Sequence, residues 1–185
     1  VAAGVRDVVV EPVFLLGMMG AGKSSVGREL AREEPGATFI DLDARIELLF
    51  GASVEGLFAH GEDYFRACER AALRSLVAEP GFAAASVVVA TGGGVVIDPA
   101  NLQTMGAVGT LVYLEADVAT LTARLSTEAE RRRRPLLGDA QTLTQRLAHL
   151  LEAREPAYRQ AHHVVDARES PQEVATRVRR ALSKP

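Results

Sequence analysis

Eight residues, Gly17-Met18-Met19-Gly20-Ala21-Gly22-Lys23-Ser24, stand between an apolar run, Val13–Leu16, and a helical pattern that opens at Ser25-Val26-Gly27-Arg28-Glu29-Leu30. They fit the pattern G-x-x-x-x-G-K-[ST], a strand-to-helix loop that cradles phosphate. Glycines let such a loop curl until successive N–H groups face one concavity, and the helix behind it adds unpaired N–H groups and the positive end of its dipole. Gly20 to Ser25 is therefore the expected phosphate-binding run. Lys23 is placed to reach the β- and γ-phosphates, and the Ser24 hydroxyl is placed to ligate Mg²⁺. A plain glycine-rich turn accounts for the glycines but not for strand, lysine, hydroxyl and helix together. The chain is expected to bind a nucleoside triphosphate, which leaves open what receives the phosphate.

A length of 185 residues suits one well-cored domain and would cramp two. A net charge of −3 argues against a nucleic-acid binder. The one basic concentration is local, Arg131 to Arg134. Cys68 is the sole cysteine, so no intrachain disulfide is possible. That points to a reducing, cytoplasmic compartment, with Cys68 as a small packed side chain. No apolar stretch approaches a membrane span, and Val1 to Glu11 lacks the apolar centre of a signal peptide. Soluble small-molecule substrates and a monomer are expected, with no nucleic-acid or membrane partner.

Strand and helix signals alternate along the chain. Strands are expected at Val13–Leu16, Ala37–Ile40, Ser86–Thr91, Thr110–Leu114 and His163–Asp166. Helices are expected at about Lys23–Glu33, Arg45–Phe50, Ser53–Phe58, Glu62–Ala78, from Asp98-Pro99, Asp117–Leu125, around Leu143–Leu151 and after Ser170-Pro171. Arg154-Glu155-Pro156-Ala157-Tyr158 is expected to disturb the end of the seventh helix. Ser170 and Glu173 form a capping-box pattern. Such alternation argues for an α/β fold, an open parallel sheet with helices on both faces. Ligands should then lie beyond the carboxyl ends of the strands, which gathers Gly17–Ser24, Asp41–Asp43 and Gly92–Gly94 on one rim.

Around that rim, Asp41 and Asp43 are candidates for the metal side and the acceptor side of phosphoryl transfer. At strand spacing they would face the same way; if a helix begins there, Asp43 lies near its N-cap. Arg66 and Glu69 are neighbours on one helix. They make either an exposed ion pair worth under about 1 kcal/mol or an arginine braced by Glu69 to grip a carboxylate, and the residues alone leave both readings open. Gly92-Gly93-Gly94 follows a strand of the type that often ends in a metal-binding acid, yet no acid stands there. The triplet suggests close approach of backbone to ligand. Arg131–Arg134, before Pro135-Leu136-Leu137, reads as a solvated basic face or as a lid that brings charge to the triphosphate and excludes water. His60, His149, His162 and His163 show no ligand spacing.

These motifs, in this order, resemble the shikimate kinase family nearly end to end, from Phe14 to Leu182. The residues that carry the resemblance are Gly17–Ser24, Asp41-Leu42-Asp43, Phe58 to Glu69 with its Phe-Arg-x-x-Glu unit, Thr91 to Val96, Arg134-Pro135-Leu136-Leu137 and Arg154 to Tyr158. The resemblance implies a P-loop NTPase fold of the nucleoside-monophosphate-kinase-like, three-layer type, with a five-stranded parallel sheet in the order 2-3-1-4-5. It implies a single domain over 1–185 with a core at about 12–183, a shikimate-binding region at about 41–70 and a lid at about 126–138. It also implies transfer of the γ-phosphate of ATP to the 3-hydroxyl of shikimate, on the path to aromatic amino acids.

By the same resemblance, Asp43 would hold or deprotonate the attacking hydroxyl. Arg66 and Arg154 would bind the shikimate carboxylate, and Gly92, Gly93 and Gly94 would offer backbone groups to its ring. Arg134 would meet both substrates from the lid. Lys23 would hold the phosphates, and Ser24 with Asp41 would hold Mg²⁺. Adenine would pack between Arg124 and the loop from Arg168 to Pro171. A gluconate kinase would share the phosphate loop but needs no pair of carboxylate-facing arginines beside a glycine triplet. A GTPase switch would carry an N-K-x-D guanine reader, which this sequence lacks.

Overall fold

In the first strand, β1 (Val13–Leu16), all four side chains are buried. Val13 and Leu15 enter one core, and Phe14 and Leu16 enter another. Neighbours along a strand point to opposite faces, so a strand that is apolar throughout must be covered on both sides. The computed structural model describes residues 11–126 and 143–183. Its sheet adds β2 (Thr38–Asp41), β3 (Val87–Ala90), β4 (Thr110–Glu115) and β5 (His163–Asp166). All pairings are parallel and the order is β2-β3-β1-β4-β5, as expected.

One helical layer is α1 (Lys23–Glu33), α6 (Val118–Leu125), α7 (Leu143–Tyr158) and α8 (Pro171–Leu182). The other is α2 (Leu42–Phe50), α3 (Val54–Ala59), α4 (Glu62–Val77) and α5 (Pro99–Gly106). Near the end of α7, Tyr158 joins the second core while Leu143 and Leu147 stay in the first. Cys68 is free and buried in α4, the packing role its surroundings suggested. Apart from Ser126, the expected lid, with the arginine run and Arg134, lies outside the described residues.

Two local expectations change. β2 runs one residue further than expected, and α2 begins at Leu42 rather than Arg45. The cause is Asp41, whose Oδ1 accepts from the N–H groups of Asp43 and Ala44 at 3.1 and 3.4 Å and so caps the helix early. Asp41 ends a strand and Asp43 sits in the first helical turn, so the two do not share a strand face. Pro156 does not break α7, which continues to Tyr158. It lies near the helix end and deprives only the carbonyl of exposed Glu152 of an intrahelical donor, where water can replace it. Arg154 and Tyr158 on either side are buried and hold the last turn in place.

The capping box of α8 is formed, with Ser170 and Glu173 bonded reciprocally. Hydrogen bonds from Ser170 hold the Glu173 carboxyl below the usual glutamate range. The box is therefore intact above that range and weakens as pH falls through it. Ser170→Ala is expected to cost about 1 kcal/mol of stability, measured by urea unfolding at neutral pH; no shift in midpoint would mean that the cap contributes nothing.

Candidate active site

The phosphate loop leaves β1 through Gly17, Gly20 and Gly22, at φ of 139°, 84° and 94°. Side chains rarely adopt such angles, so the curl depends on these glycines. Met18 and Met19, the variable positions of the motif, point away from the concavity and pack in the core beneath it. Gly22 is the N-cap of α1 and no side chain caps that end, which leaves the first N–H groups of the helix for an anion. Lys23 folds over the loop, its Nζ donating to Gly17 O at 2.7 Å and Met18 O at 3.0 Å.

One turn into the rim, Ser24 Oγ donates to Asp41 Oδ2 at 2.7 Å. The acid that β3 lacks is thus supplied by the neighbouring strand β2. Position 91 is instead Thr91, whose hydroxyl donates to Leu15 O and pins β3 to β1 beside the loop. A hydroxyl and a carboxylate side by side are hard oxygen donors. They fit a cation that keeps most of its shell as water and phosphate oxygen, as Mg²⁺ does. Among the described residues no group of three or more His, Cys, Asp or Glu side chains forms an all-protein metal cage.

The side expected to take the acceptor is built around the glycine triplet. Arg66 is only 12% exposed and donates from Nη1 to Glu69 Oε2 at 2.8 Å and from Nη2 to Glu62 Oε1 at 3.0 Å. Between the two readings of this arginine, burial excludes the exposed ion pair. Its guanidinium lies so close to Gly94 that a Cβ there would stand 2.3 Å from Nη2. Burial alone disfavours the charged guanidinium, but the Glu69 and Glu62 carboxylates outweigh it and hold its pKa above the ordinary value. Glu69 is buried as well. Desolvation pushes its carboxyl up against the opposing pull of Arg66, with Asp43 and Arg154 also within electrostatic reach. Glu69 Oε1 makes no hydrogen bond among the described residues. It and Asp43 Oδ1 would lie 2.7 and 3.0 Å from a Cβ on Gly92. From α7, buried Arg154 donates to Gly93 O at 3.3 Å.

The missing side chains at Gly92 and Gly94 are thus required by these charged groups, whatever a ligand adds. None of the triplet's three N–H groups finds a partner among the described residues.

Arg124 ties the phosphate loop to the loop after β5. Nη1 donates to Gly20 O and Ala21 O at 3.3 Å each, and Nη2 donates to the carbonyls of Ala167, Arg168 and Glu169 at 2.9–3.1 Å. The two flanks expected for adenine are thus adjacent. Arg168 itself turns to Asp166 at 2.7 Å, and Pro171 is the first residue of α8.

A cleft of about 440 Å³ collects Gly20, Gly22, Lys23, Ser24, Ser25, Asp41, Asp43, Gly93 and Arg124. Arg66 and Arg154, which approach Gly94 and Gly93, are not among its lining residues, and Arg168 borders a separate depression of about 350 Å³. Arg28 also lines the cleft, a residue that the sequence did not single out. Its only signal is position, five residues after Lys23 on α1, which any exposed helical arginine would share.

A family model described as shikimate kinase matches residues 19–183, from within the phosphate loop to just past α8. A shikimate kinase of Halorhodospira halophila is 45% identical over 154 residues, covering 83% of this chain and 81% of that protein. Among solved structures, a shikimate kinase from Acinetobacter baumannii in complex with shikimate superposes with a TM-score of 0.82 at 32% identity, covering 91% of this chain and 90% of that one. One from Bacteroides thetaiotaomicron gives 0.83 at 32%, covering 94% and 99%. With the match extending over nearly all of the rim just described, this chain belongs to the shikimate kinase family.

Proposed function

We propose that this cleft transfers the γ-phosphate of ATP to the 3-hydroxyl of shikimate, giving shikimate 3-phosphate and ADP. The triphosphate lies along Gly20–Ser25 with Lys23 on its outer phosphates. Ser24 and Asp41 hold Mg²⁺, which when bound neutralises phosphate charge. Adenine packs between Arg124 and residues 168–171. Shikimate lies across the triplet, its carboxylate held by Arg66 and Arg154 and its ring by the N–H groups of Gly92, Gly93 and Gly94. Asp43 accepts the hydrogen bond of the attacking hydroxyl. As the new P–O bond forms and the bond to the ADP oxygen breaks, the hydroxyl proton passes to Asp43. By the family resemblance, Arg134 adds charge from the lid. We read the chain as one domain, with acceptor-binding residues in about 41–70 and a lid at about 126–138, acting as a cytoplasmic monomer. Among the described residues no helix is long and apolar enough to cross a membrane.

The observation that carries this reading is the placement of buried Arg154, half-buried Arg66 and two acids, Asp43 and Glu69, around one glycine triplet next to a phosphate loop. A cyclic polyol with a carboxylate fixed on its ring needs cations for that carboxylate and an acid for a hydroxyl at set positions, whereas a nucleoside has no carboxylate and gluconate carries its own on an open, flexible chain. The test is ADP release with shikimate, gluconate and nucleosides as acceptors. Release should depend on shikimate, and a response to gluconate or nucleosides without one to shikimate rejects the proposal.

Arg66→Lys keeps the charge but loses the planar fork. It is expected to raise KM for shikimate about tenfold, as for loss of one charge-assisted hydrogen bond, with KM for ATP unchanged. Steady-state kinetics with each substrate varied in turn measures this. An unchanged shikimate KM places Arg66 outside the acceptor site.

A further inference from the structure

We infer that Tyr158 is a positioning residue for the acceptor: its hydroxyl locks the Gly93–Gly94 peptide so that the Gly94 N–H faces the bound shikimate. The inference rests on the function proposed above and adds a residue to it. Tyr158 is fully buried at the end of α7, and its hydroxyl donates a hydrogen bond to Gly93 O. The Tyr158 hydroxyl oxygen also lies 3.9 Å from Met18 Sδ of the phosphate loop. Its ring stacks on Tyr113, with centroids 5.0 Å apart and planes 14° apart, which holds the hydroxyl in place. Burial pushes the phenol up, so it remains a donor throughout the working pH range.

The peptide that it grips is unusually free. With glycine at 92, 93 and 94, no Cβ restrains rotation of that plane. A trans peptide sets its C=O and the following N–H in opposite directions, so fixing the Gly93 carbonyl fixes the Gly94 N–H. That carbonyl accepts from both Tyr158 and Arg154. Without the phenol, Arg154 alone would have to hold it, and the same arginine is needed for the carboxylate. On its other side Gly93 abuts Met19 N, which a Cβ at 93 would meet at 3.1 Å. Tyr158 thus secures the joint between the acceptor and phosphate halves of the cleft.

Tyr158→Phe preserves the stack and removes only the hydroxyl. By titration calorimetry and steady-state kinetics, shikimate Kd and KM should rise about five- to tenfold, as for loss of one buried hydrogen bond, with kcat and KM for ATP within about twofold. Tyr113→Phe is the control. Its hydroxyl makes no hydrogen bond among the described residues, so shikimate binding should be unchanged. An unaltered shikimate Kd in Tyr158→Phe overturns the inference, as does an equal loss in Tyr113→Phe or an equal change for both substrates. Should Tyr158→Phe not fold, wild-type protein labelled with 3-fluorotyrosine serves instead. The chain has three tyrosines, and the Tyr158 resonance should move on saturation with shikimate; a static resonance overturns the inference. Wild-type protein is titrated first. If it does not bind shikimate, the proposed function fails and the inference with it. If it binds and Tyr158→Phe binds equally well, only the inference fails.

Discussion

Asp43→Asn is expected to lower kcat by about 10²–10⁴, the usual contribution of a positioned general base, while ATP affinity stays within about twofold. Asp43 sits in the first turn of α2 and lines the same cleft as Lys23 and Ser24. Its Oδ1 faces the glycine triplet, where the acceptor is proposed to lie. The amide of Asn matches the carboxylate in shape but cannot take a proton, so the acceptor hydroxyl would be held without being activated. The helix start is preserved, because the cap belongs to Asp41 and the residue-43 backbone N–H that it receives is retained. Nucleotide titration and single-turnover phosphate transfer measure the two halves of the effect. Near-normal turnover removes Asp43 from the chemistry, and lost ATP binding assigns it to the wrong side of the cleft.

Gly94→Ala is expected to raise KM for shikimate about 100-fold with ATP affinity unchanged, since overpacking of this kind costs about 1–3 kcal/mol. The new methyl would stand 2.3–2.5 Å from three atoms of the Arg66 guanidinium. That group cannot swing away cheaply, because Glu69 and Glu62 hold it and the rings of Phe65 and Phe58 lie 5.1 and 5.6 Å from it. Gly106→Ala is the matched control. Its Cβ would meet only Leu111 Cδ1 at 3.9 Å, and alanine suits the end of α5, so activity and stability should not fall. Shikimate titrations of both variants, with circular dichroism to confirm folding, decide the matter. Normal shikimate affinity in Gly94→Ala means that Arg66 does not serve the acceptor.

Much of this arrangement was legible before any coordinates, for a physical reason. Short apolar strands ending in glycine or aspartate, separated by capped helices, leave few ways to bury both sheet faces. Parallel connection then puts the polar strand ends on one rim. What could not be read were features settled by contacts distant in sequence. The spacing of Arg66 and Glu69 is that of any surface ion pair. Burial came from α4 closing on a glycine triplet more than twenty residues further along. α2 starts earlier than its apolar pattern indicates because strand periodicity says nothing about a carboxylate turning back to cap the next helix. Pro156 reads as a disturbance of the helix end because local propensity knows nothing of the buried side chains on either side of it.

The two oxygens of Asp41 are divided between separate duties, one turned to Ser24 and the other to the amide of residue 43. The seat proposed for the metal and the acid proposed for the acceptor are therefore gauged from a single mark, with almost no slack between them. A relative carrying one inserted residue between positions 41 and 43 would retain every functional group named above and still be out of register. In this enzyme that interval works as a ruler.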